Sequence, residues 1–333
     1  MIIIIPIGGI GTRFKNNGYT KPKALITVFG KPILYYLLDN LNLDNIEYIV
    51  IPYNKEYKNY NFENTLKKIY PHLIFKFYCL NNNTRGAAET INIALNNLNE
   101  TRDIPILCLD SDNFYLCDII SQWNGTNSIF SFKDTNITTP IYSYVNININ
   151  EYITDIKEKE KISDYACTGA YGFQSIKQLH KYTTKIIREN IKQQNEFYTS
   201  GIIKEMINEN YNFKNIEIDK KNYICLGTPL QLKIFYNNYP RISSLTNTEF
   251  IKPKRICFDL DNTLVSYPTI PNDYSSVKPI NKNIDLLKYL KRFGNTIIIY
   301  TARRMKTHKG NVGKINADIG KITFDTLDKF NIP

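Results

Sequence analysis

Three glycines and three cations sit together near the start of the chain. Gly8, Gly9 and Gly11 are followed by Arg13, Lys21 and Lys23. Glycine permits a tight turn and a close approach of backbone to a ligand. Backbone N–H groups with fixed positive charge beside them describe a cradle for phosphate. A second group is Asp110-Ser111-Asp112-Asn113. Two hard oxygen donors that close together suit Mg2+, which keeps several waters and bridges to substrate phosphates. A third is Asp259-Leu260-Asp261-Asn262-Thr263, which taken alone is another acidic turn able to hold a metal. A phosphate cradle plus carboxylates for a divalent cation points to chemistry on a nucleotide or another phosphorylated substrate.

These groups need elements to hold them. Residues 2–7 form an apolar, β-branched run that leads straight into the glycines, as a buried strand would. Residues 104–109 are a second such run, ending in Asp110. Carboxylates at the carboxyl end of a central strand lie where α/β sheets bind ligands. Residues 31–41 place Ile33, Leu34, Leu37, Leu38 and Leu41 at helical spacing. Strands are expected at 46–51 and 73–78, and a helix at 63–69. Thr84-Arg85-Gly86-Ala87-Ala88-Glu89-Thr90 opens a helix whose inner face is Ala87, Ile91, Ala94, Leu95 and Leu98. Its small first residues suit either tight packing on a sheet or a flat ring lying against the backbone. Residues 128–149 alternate as strands, and 152–161 end in the alternating charges of KEKEK. The succession predicts an α/β fold with a mixed sheet flanked by helices. Residues 242–254 lack periodicity and carry Ser, Thr, Asn and Pro, so the division is 1–240, a linker at 241–254, and a small α/β unit at 255–333. In that last unit the expected elements are a strand entering Asp259, a helix at 283–290 and a strand at 296–300.

The 333 residues, 43% of them hydrophobic, suffice for two cores. The net charge of +11 is spread along the chain and follows its richness in Lys, Asn, Ile and Tyr, residues with AT-rich codons. No nucleic-acid partner is expected. Cys79, Cys108, Cys117, Cys167, Cys225 and Cys257 sit singly, and the three histidines are isolated, so reduced thiols and no zinc site are expected. No apolar run approaches the roughly 20 residues of a membrane helix. The apolar start lacks a basic n-region, so a cytoplasmic protein with no membrane association is expected.

Gly8 to Phe14 reads G-G-x-G-T-R-F, and Gly18 to Pro32 reads G-Y-x-x-P-K-x-L-I-x-V-x-G-K-P. The combination resembles the N-terminal signature of the sugar-phosphate nucleotidyltransferases, whereas the dinucleotide GxGxxG and the P-loop spacing are both absent. The resemblance implies a Rossmann-like, GT-A-like fold over residues 1–240. It implies transfer of a nucleotidyl group from an NTP to a phosphorylated sugar or polyol, with release of pyrophosphate. It gives Arg13 the β,γ-phosphates, Lys23 the α-phosphate, and Asp110 with Asp112 the Mg2+. Gly8, Gly9, Gly11, Thr12, Arg85, Gly86 and Ala87 would form the nucleotide pocket. Glu158-Lys159 followed by Thr168-Gly169-Ala170-Tyr171-Gly172-Phe173 is similar to the family's E-K … T-G-x-Y-x-F. This gives Lys159 the acceptor phosphate, with Lys157 and Lys161 as alternatives in register, and puts Gly169, Tyr171 and Glu196 around the acceptor. Residues 223–229 resemble W-x-D-x-G-T-P, but Cys225 stands at the aspartate position. A second metal ligand is therefore open, with Asp219 a substitute. Asp110 to Phe114 also resembles the A-D-N-Y form of phosphocholine cytidylyltransferases, which favours CTP among the NTPs.

The C-terminal D-x-D-x-T, with Thr301-Ala302-Arg303-Arg304 after the later strand, resembles the haloacid-dehalogenase (HAD) phosphatases. There Asp259 would be the nucleophile and Asp261 the acid/base, with Thr301 in the second motif. The lysine and paired acidic motif that should follow do not occur before Pro333, so hydrolysis is not expected of this unit. A bifunctional transferase and phosphatase, a phosphocholine-type cytidylyltransferase, and a nucleotide sensor, which Cys225 favours, are the competing readings. A homo-oligomer is left open.

Overall fold

The computed structural model describes residues 1–135, 140–245, 255–292 and 295–333. Contacts divide the chain into two compact units, Met1–Tyr236 and Asn237–Pro333.

The first unit is built on one sheet. Its first four strands are β1 (Ile2–Ile4), β2 (Ile49–Asn54), β3 (Phe75–Leu80) and β4 (Ile106–Leu109). Then come, in chain order, β5 (Asn113–Tyr115), β6 (Ser128–Lys133), β7 (Ser143–Ile147), β8 (Ile153–Glu158), β9 (Tyr165–Phe173), β10 (Lys214–Glu217) and β11 (Tyr223–Cys225), of which β5 and β11 pair apart from the main sheet as a two-stranded ribbon. The order across the sheet is β8-β7-β9-β4-β1-β2-β3, with β6 against β9 and β10 against β6. The half made of β4, β1, β2 and β3 is parallel. Strand β9 runs antiparallel to β4, β6 and β7. Three isoleucines of β1 are fully buried, each stabilising by about 1.5–3 kcal/mol. Both faces of this strand are covered, which is why the sequence shows a run and not an alternation. Pro6 has no N–H, and its neighbours carry the ladder on, Ile5 N to Val50 O and Ile7 N to Pro52 O, both 2.9 Å. The chain thus reaches Gly8 from the middle of the sheet.

Around the sheet lie α1 (Ile33–Asp39), α2 (Phe62–Ile69), α3 (Ala87–Asn97), α4 (Ile176–Arg188), α5 (Thr199–Asn208) and α6 (Pro229–Leu245). The strands expected at 46–51 and 73–78 begin later, because Ile46 N still turns back onto Leu43 O and Leu73 N onto Tyr70 O. Helices α4 and α5 were not anticipated. Helix α4 buries Ile176, Leu179, Tyr182 and Ile186, a helical stripe capped by Ser175. The linker assignment needs correction at its start, since α6 continues to Leu245. Ser and Asn cost only tenths of a kcal/mol each in a helix and no glycine interrupts the span, which continues even through Pro240, a residue that lacks the N–H donor. The rest of the proposed linker, 246–254, lies outside the described residues.

In the second unit, β12 (Arg255–Asp259) and β13 (Thr296–Tyr300) pair in parallel, with Asp259 opposite Tyr300. Helices α7 (Asn281–Arg292) and α8 (Lys321–Lys329) complete it. Its core contains Leu260, Leu264, Val265, Val277, Ile284, Leu287 and Ile332. Arg303, fully buried in its side chain, forks onto Asp261 with Nη2 2.8 Å and Nε 3.0 Å from Oδ1. Thr301 Oγ1 donates to the same carboxylate at 3.0 Å. Asp259 is exposed.

Candidate active site

The glycine turn is held by contacts only a glycine permits. A Cβ on Gly8 would stand 2.5 Å from Thr90 Oγ1 and 2.9 Å from Thr84 Oγ1, so the end of β1 lies hard against the start of α3. Asn54 Nδ2, at the end of β2, donates to Gly8 O at 3.2 Å. Gly9 has open space on its Cβ side. Gly11, at φ +66°, starts a single helical turn, Thr12–Lys15. Phe14 is buried there while Thr12 and Arg13 face out. Beside this turn, Gly86 sits at φ 148°, a backbone that residues with side chains rarely adopt, and a Cβ on it would meet Phe197 O at 2.3 Å. Two backbone bonds close the gap, Phe197 N to Arg85 O at 3.0 Å and Ala88 N to Phe197 O at 2.9 Å. Arg85 lies over the Phe197 ring at 4.7 Å and pairs with Glu89 at 2.5 Å.

Lys23 begins a short 3-10 turn anchored by buried Ala24 and Leu25, with Ala24 N donating to Tyr57 OH at 3.2 Å. Its Nζ reaches Asp112 Oδ2 at 2.7 Å, across 89 residues of chain. Burial works to lower the Lys23 pKa, but Asp112 and then Asp110 raise it, and the net shift is upward. Burial, and then the charge of Asp112, push the Asp110 carboxyl up to about 8, against the pull of Lys23. Two carboxylates share one fixed cation, so a second positive charge would be welcome here.

The space at the carboxylates is also kept open. A Cβ on Gly169 would fall 2.4 Å from Asp110 Oδ2, and one on Gly227 would fall 2.3 Å from Asp112 Oδ2. Two carboxylates in a glycine-walled recess suit a hard divalent cation that brings waters and shares phosphate oxygens. Among the described residues no group of three or more His, Cys, Asp or Glu is placed to hold a metal. Strand β11 pairs Cys225 with Asn113, and Leu226 N donates to Asp112 O at 2.7 Å, which seats the thiol beside Asp112. Burial and Asp112 push that thiol up to about 12, so it is a neutral group where the resemblance would have a carboxylate. Asp219 does not replace it. Its side chain caps the turn at Lys221 N and pairs with Lys221 Nζ at 2.8 Å.

On the other side of the recess, Glu158 is buried and accepts from Ser143 Oγ and, at 3.1 Å, from Ser200 Oγ. Burial raises its pKa. Lys159 follows at φ +52°, an unusual backbone for a lysine, fixed by its N–H to Tyr142 O at 2.9 Å. Its Nζ donates to Tyr198 OH at 2.5 Å and lies 4.6 Å from the ring centre. Lys157 and Lys161 are engaged elsewhere, with Glu160 at 3.2 Å and Asp164 at 2.9 Å. Of the three lysines, Lys159 is the one facing Tyr198. Glu196 is exposed on the same loop. Tyr171 departs from its expected place around the acceptor. It is 6% exposed within the main core, since both faces of β9 are covered, and it backs the site without offering a surface. Sequence reasoning also missed the roles of Tyr198, Ser143 and Ser200. Tyr198 lies two residues beyond Glu196, which the resemblance had placed around the acceptor; the serines carry no signal in the sequence.

A family model described as nucleotidyl transferase matches residues 2–229, a span holding the glycine turn, both carboxylates and Lys159. The chain belongs to the nucleotidyl transferase family. A curated relative, the bifunctional protein GlmU of Campylobacter fetus subsp. fetus, is 29% identical over 241 residues, covering 70% of this chain and 52% of that protein. The chain spans about half the length of the curated relatives it matches. Among solved structures, the nucleoside-diphosphate-sugar pyrophosphorylase from Vibrio cholerae superposes with a TM-score of 0.63 at 21% identity, over 70% of this chain and 99% of that one. The inositol-1-phosphate CTP transferase from T. maritima gives 0.58 at 14% identity, over 75% and 97%. These two likenesses concern the fold. No helix among the described residues is long and apolar enough to cross a membrane.

For this nucleotidyl transferase unit the recess makes one local prediction. Gly169→Ala forces a side chain into φ +82° and against Asp110. Strain of this kind costs of order 1–3 kcal/mol, so the expected result is a melting temperature lowered by several degrees together with weakened divalent-cation binding. Calorimetry on the purified variant checks both, and a variant with unaltered melting and cation affinity would contradict the recess as described.

Proposed function

We propose that residues 1–240 transfer a nucleotidyl group from an NTP to a phosphorylated sugar or polyol, forming a nucleotide-linked product and releasing pyrophosphate. The observation that carries this reading is the Lys23–Asp112 pair, 2.7 Å apart, at the strand end where Asp110 also lies and directly beneath the glycine turn. The turn of Gly8, Gly9, Gly11 and Thr12 faces the triphosphate, Arg13 holds its β,γ end, and Lys23 neutralises oxygens of the α-phosphate. Arg85, Gly86 and Ala87 receive the base. Lys159 orients the acceptor phosphate for in-line attack, while Glu196 and Gly169 border the acceptor. Asp110 and Asp112 would hold Mg2+, which supplies charge neutralisation on the phosphate oxygens. Positioning and charge do most of the work in such a transfer. CTP is the favoured nucleotide, by the Asp110–Phe114 likeness and the CTP-using structural neighbour. The proposed setting is the cytoplasm. The test is a matrix of four NTPs against sugar, polyol and choline phosphates, scored by pyrophosphate. Release with no pair under Mg2+ would overturn the reading and favour a nucleotide-sensing role, for which neutral Cys225 is the supporting feature.

We further propose that residues 255–333 form a HAD-like unit that does not hydrolyse phosphoesters in this chain. Asp259 is exposed and available as a nucleophile, with Thr301 nearby through Asp261. The Asp261 carboxylate, however, is forked by buried Arg303. Both oxygens of this carboxylate are taken up by the guanidinium and by the Thr301 hydroxyl, so neither is free to serve a leaving group. The expected result with p-nitrophenyl phosphate and with sugar phosphates is no turnover above background. Turnover that disappears in Asp259→Asn would show a working phosphatase.

A further inference from the structure

We propose that the Arg85–Ala88 loop and the Phe197–Tyr198 segment act as one mechanical piece that makes nucleotide and acceptor binding mutually dependent, with Tyr198 passing the effect to Lys159. The proposal rests on the reading that Gly86 borders the nucleotide and Lys159 the acceptor phosphate.

The two segments are more than a hundred residues apart in sequence, yet their backbones are in contact. Phe197 N donates to Arg85 O and Ala88 N donates to Phe197 O, at 3.0 and 2.9 Å. Between these bonds Gly86 lies so close to the Phe197 peptide that no side chain fits. The Phe197 ring is fully buried and is covered by Arg85 at 4.7 Å and Lys192 at 5.2 Å. Phe197 cannot shift without moving Gly86, because the contact is backbone on backbone with no flexible side chain to give. The next residue holds Lys159 through its hydroxyl at 2.5 Å and its ring at 4.6 Å. Ser200, two residues further, fixes Glu158 at 3.1 Å. One short segment is therefore tied to the nucleotide loop on one side and to both members of the Glu158-Lys159 pair on the other.

A nucleotide seated on the loop would hold the Phe197–Tyr198 segment in the register that presents Lys159. The ordering cost of that segment is then met once and not twice. The coupling must be reciprocal, so an acceptor on Lys159 improves nucleotide affinity by the same factor. Tyr198 is a positioning residue in this scheme, acting through Lys159.

The test uses calorimetric titration of the full chain with two acceptor probes, glucose 1-phosphate and phosphocholine, with and without the α,β-methylene analogue of CTP or UTP. In the wild type, acceptor affinity should rise about fivefold or more when the analogue is present, within the usual range of coupling between sites. Tyr198→Phe keeps the ring and loses the hydroxyl. It should leave analogue affinity alone unchanged, weaken the acceptor, and reduce the coupling to less than twofold. In turnover it should raise the acceptor KM while leaving the NTP KM in place. Gly86→Ala should weaken both ligands together. Equal acceptor affinity with and without the analogue in the wild type would overturn the inference alone. Full coupling retained in Tyr198→Phe would overturn the role of Tyr198. If neither analogue binds and no NTP of the matrix releases pyrophosphate, the nucleotidyl transfer reading falls, and the inference with it.

Discussion

Lys23→Ala is expected to lower kcat by roughly 10²–10³-fold, the usual effect of losing one preorganised donor at a developing charge. Lys23 is fixed on both sides. Its turn is buried at Ala24 and Leu25, and its ammonium is set by Asp112 at 2.7 Å. No other cation is seen paired with either carboxylate of the recess among the described residues, so the loss is not made good by a neighbour. Removal also leaves Asp110 and Asp112 facing each other without their shared cation. Lys23→Arg is expected to recover little, because a longer planar guanidinium does not reproduce the compact ammonium that Asp112 holds at 2.7 Å. Pyrophosphate release at saturating substrates measures the effect, with circular dichroism to show an intact fold. A loss below tenfold would remove Lys23 from the transition state.

Asp110→Asn is expected to abolish most divalent-cation dependence and to cost at least 10²-fold in turnover, because the shape remains while one anionic ligand is gone. It carries a second, opposite signature. The Asp110 carboxyl is pushed up to about 8 by burial and by Asp112, so its ionisation opposes folding when no cation is bound. A neutral amide there should raise the melting temperature of the metal-free protein at neutral pH, because the folded wild type must keep a proton that the unfolded chain gives up above the ordinary carboxylate range. Activity falling while stability rises is the pattern of a site tuned for a ligand at the expense of the fold. Activity and cation dependence near those of the wild type would place the metal elsewhere.

The parts of this site that lie next to one another in sequence were legible, and those assembled from afar were not. The glycine turn and the two carboxylates each follow an apolar run, and a strand that ends in polar residues announces itself, while Lys23 stood out in the P-K-x-L-I string after the turn. Lys159 was recoverable only as one of three lysines in an alternating charge run. What separates it from Lys157 and Lys161 is Tyr198, on a different element. The support for Glu158 comes from Ser143 and Ser200, which come together only when β7, β8 and α5 do. Tyr171 was misplaced because β9 is covered on both faces, so alternation along it says nothing about which side chains meet a ligand. Helix α4 escaped notice although its stripe of Ile176, Leu179, Tyr182 and Ile186 has helical spacing, and α5, which opens on Thr199-Ser200-Gly201, is set by its packing on α3 and α4.

The ribbon of β5 and β11 has a consequence for how the protein comes into being. Asn113 faces Cys225 across this pair, and Leu226 N closes onto Asp112 O at 2.7 Å. During synthesis, Asp112 therefore emerges long before the segment that seals it. A nascent chain halted before residue 223 has the phosphate turn and both carboxylates but an open floor beneath them. Cation or nucleotide is then of little help in templating the early sheet, and the long loop closure comes late, as pairings of high sequence separation tend to do. Chains released early from the ribosome should bind nucleotide poorly even where their strands have formed, so the step that completes the fold of the first unit is also the one that makes it competent to bind.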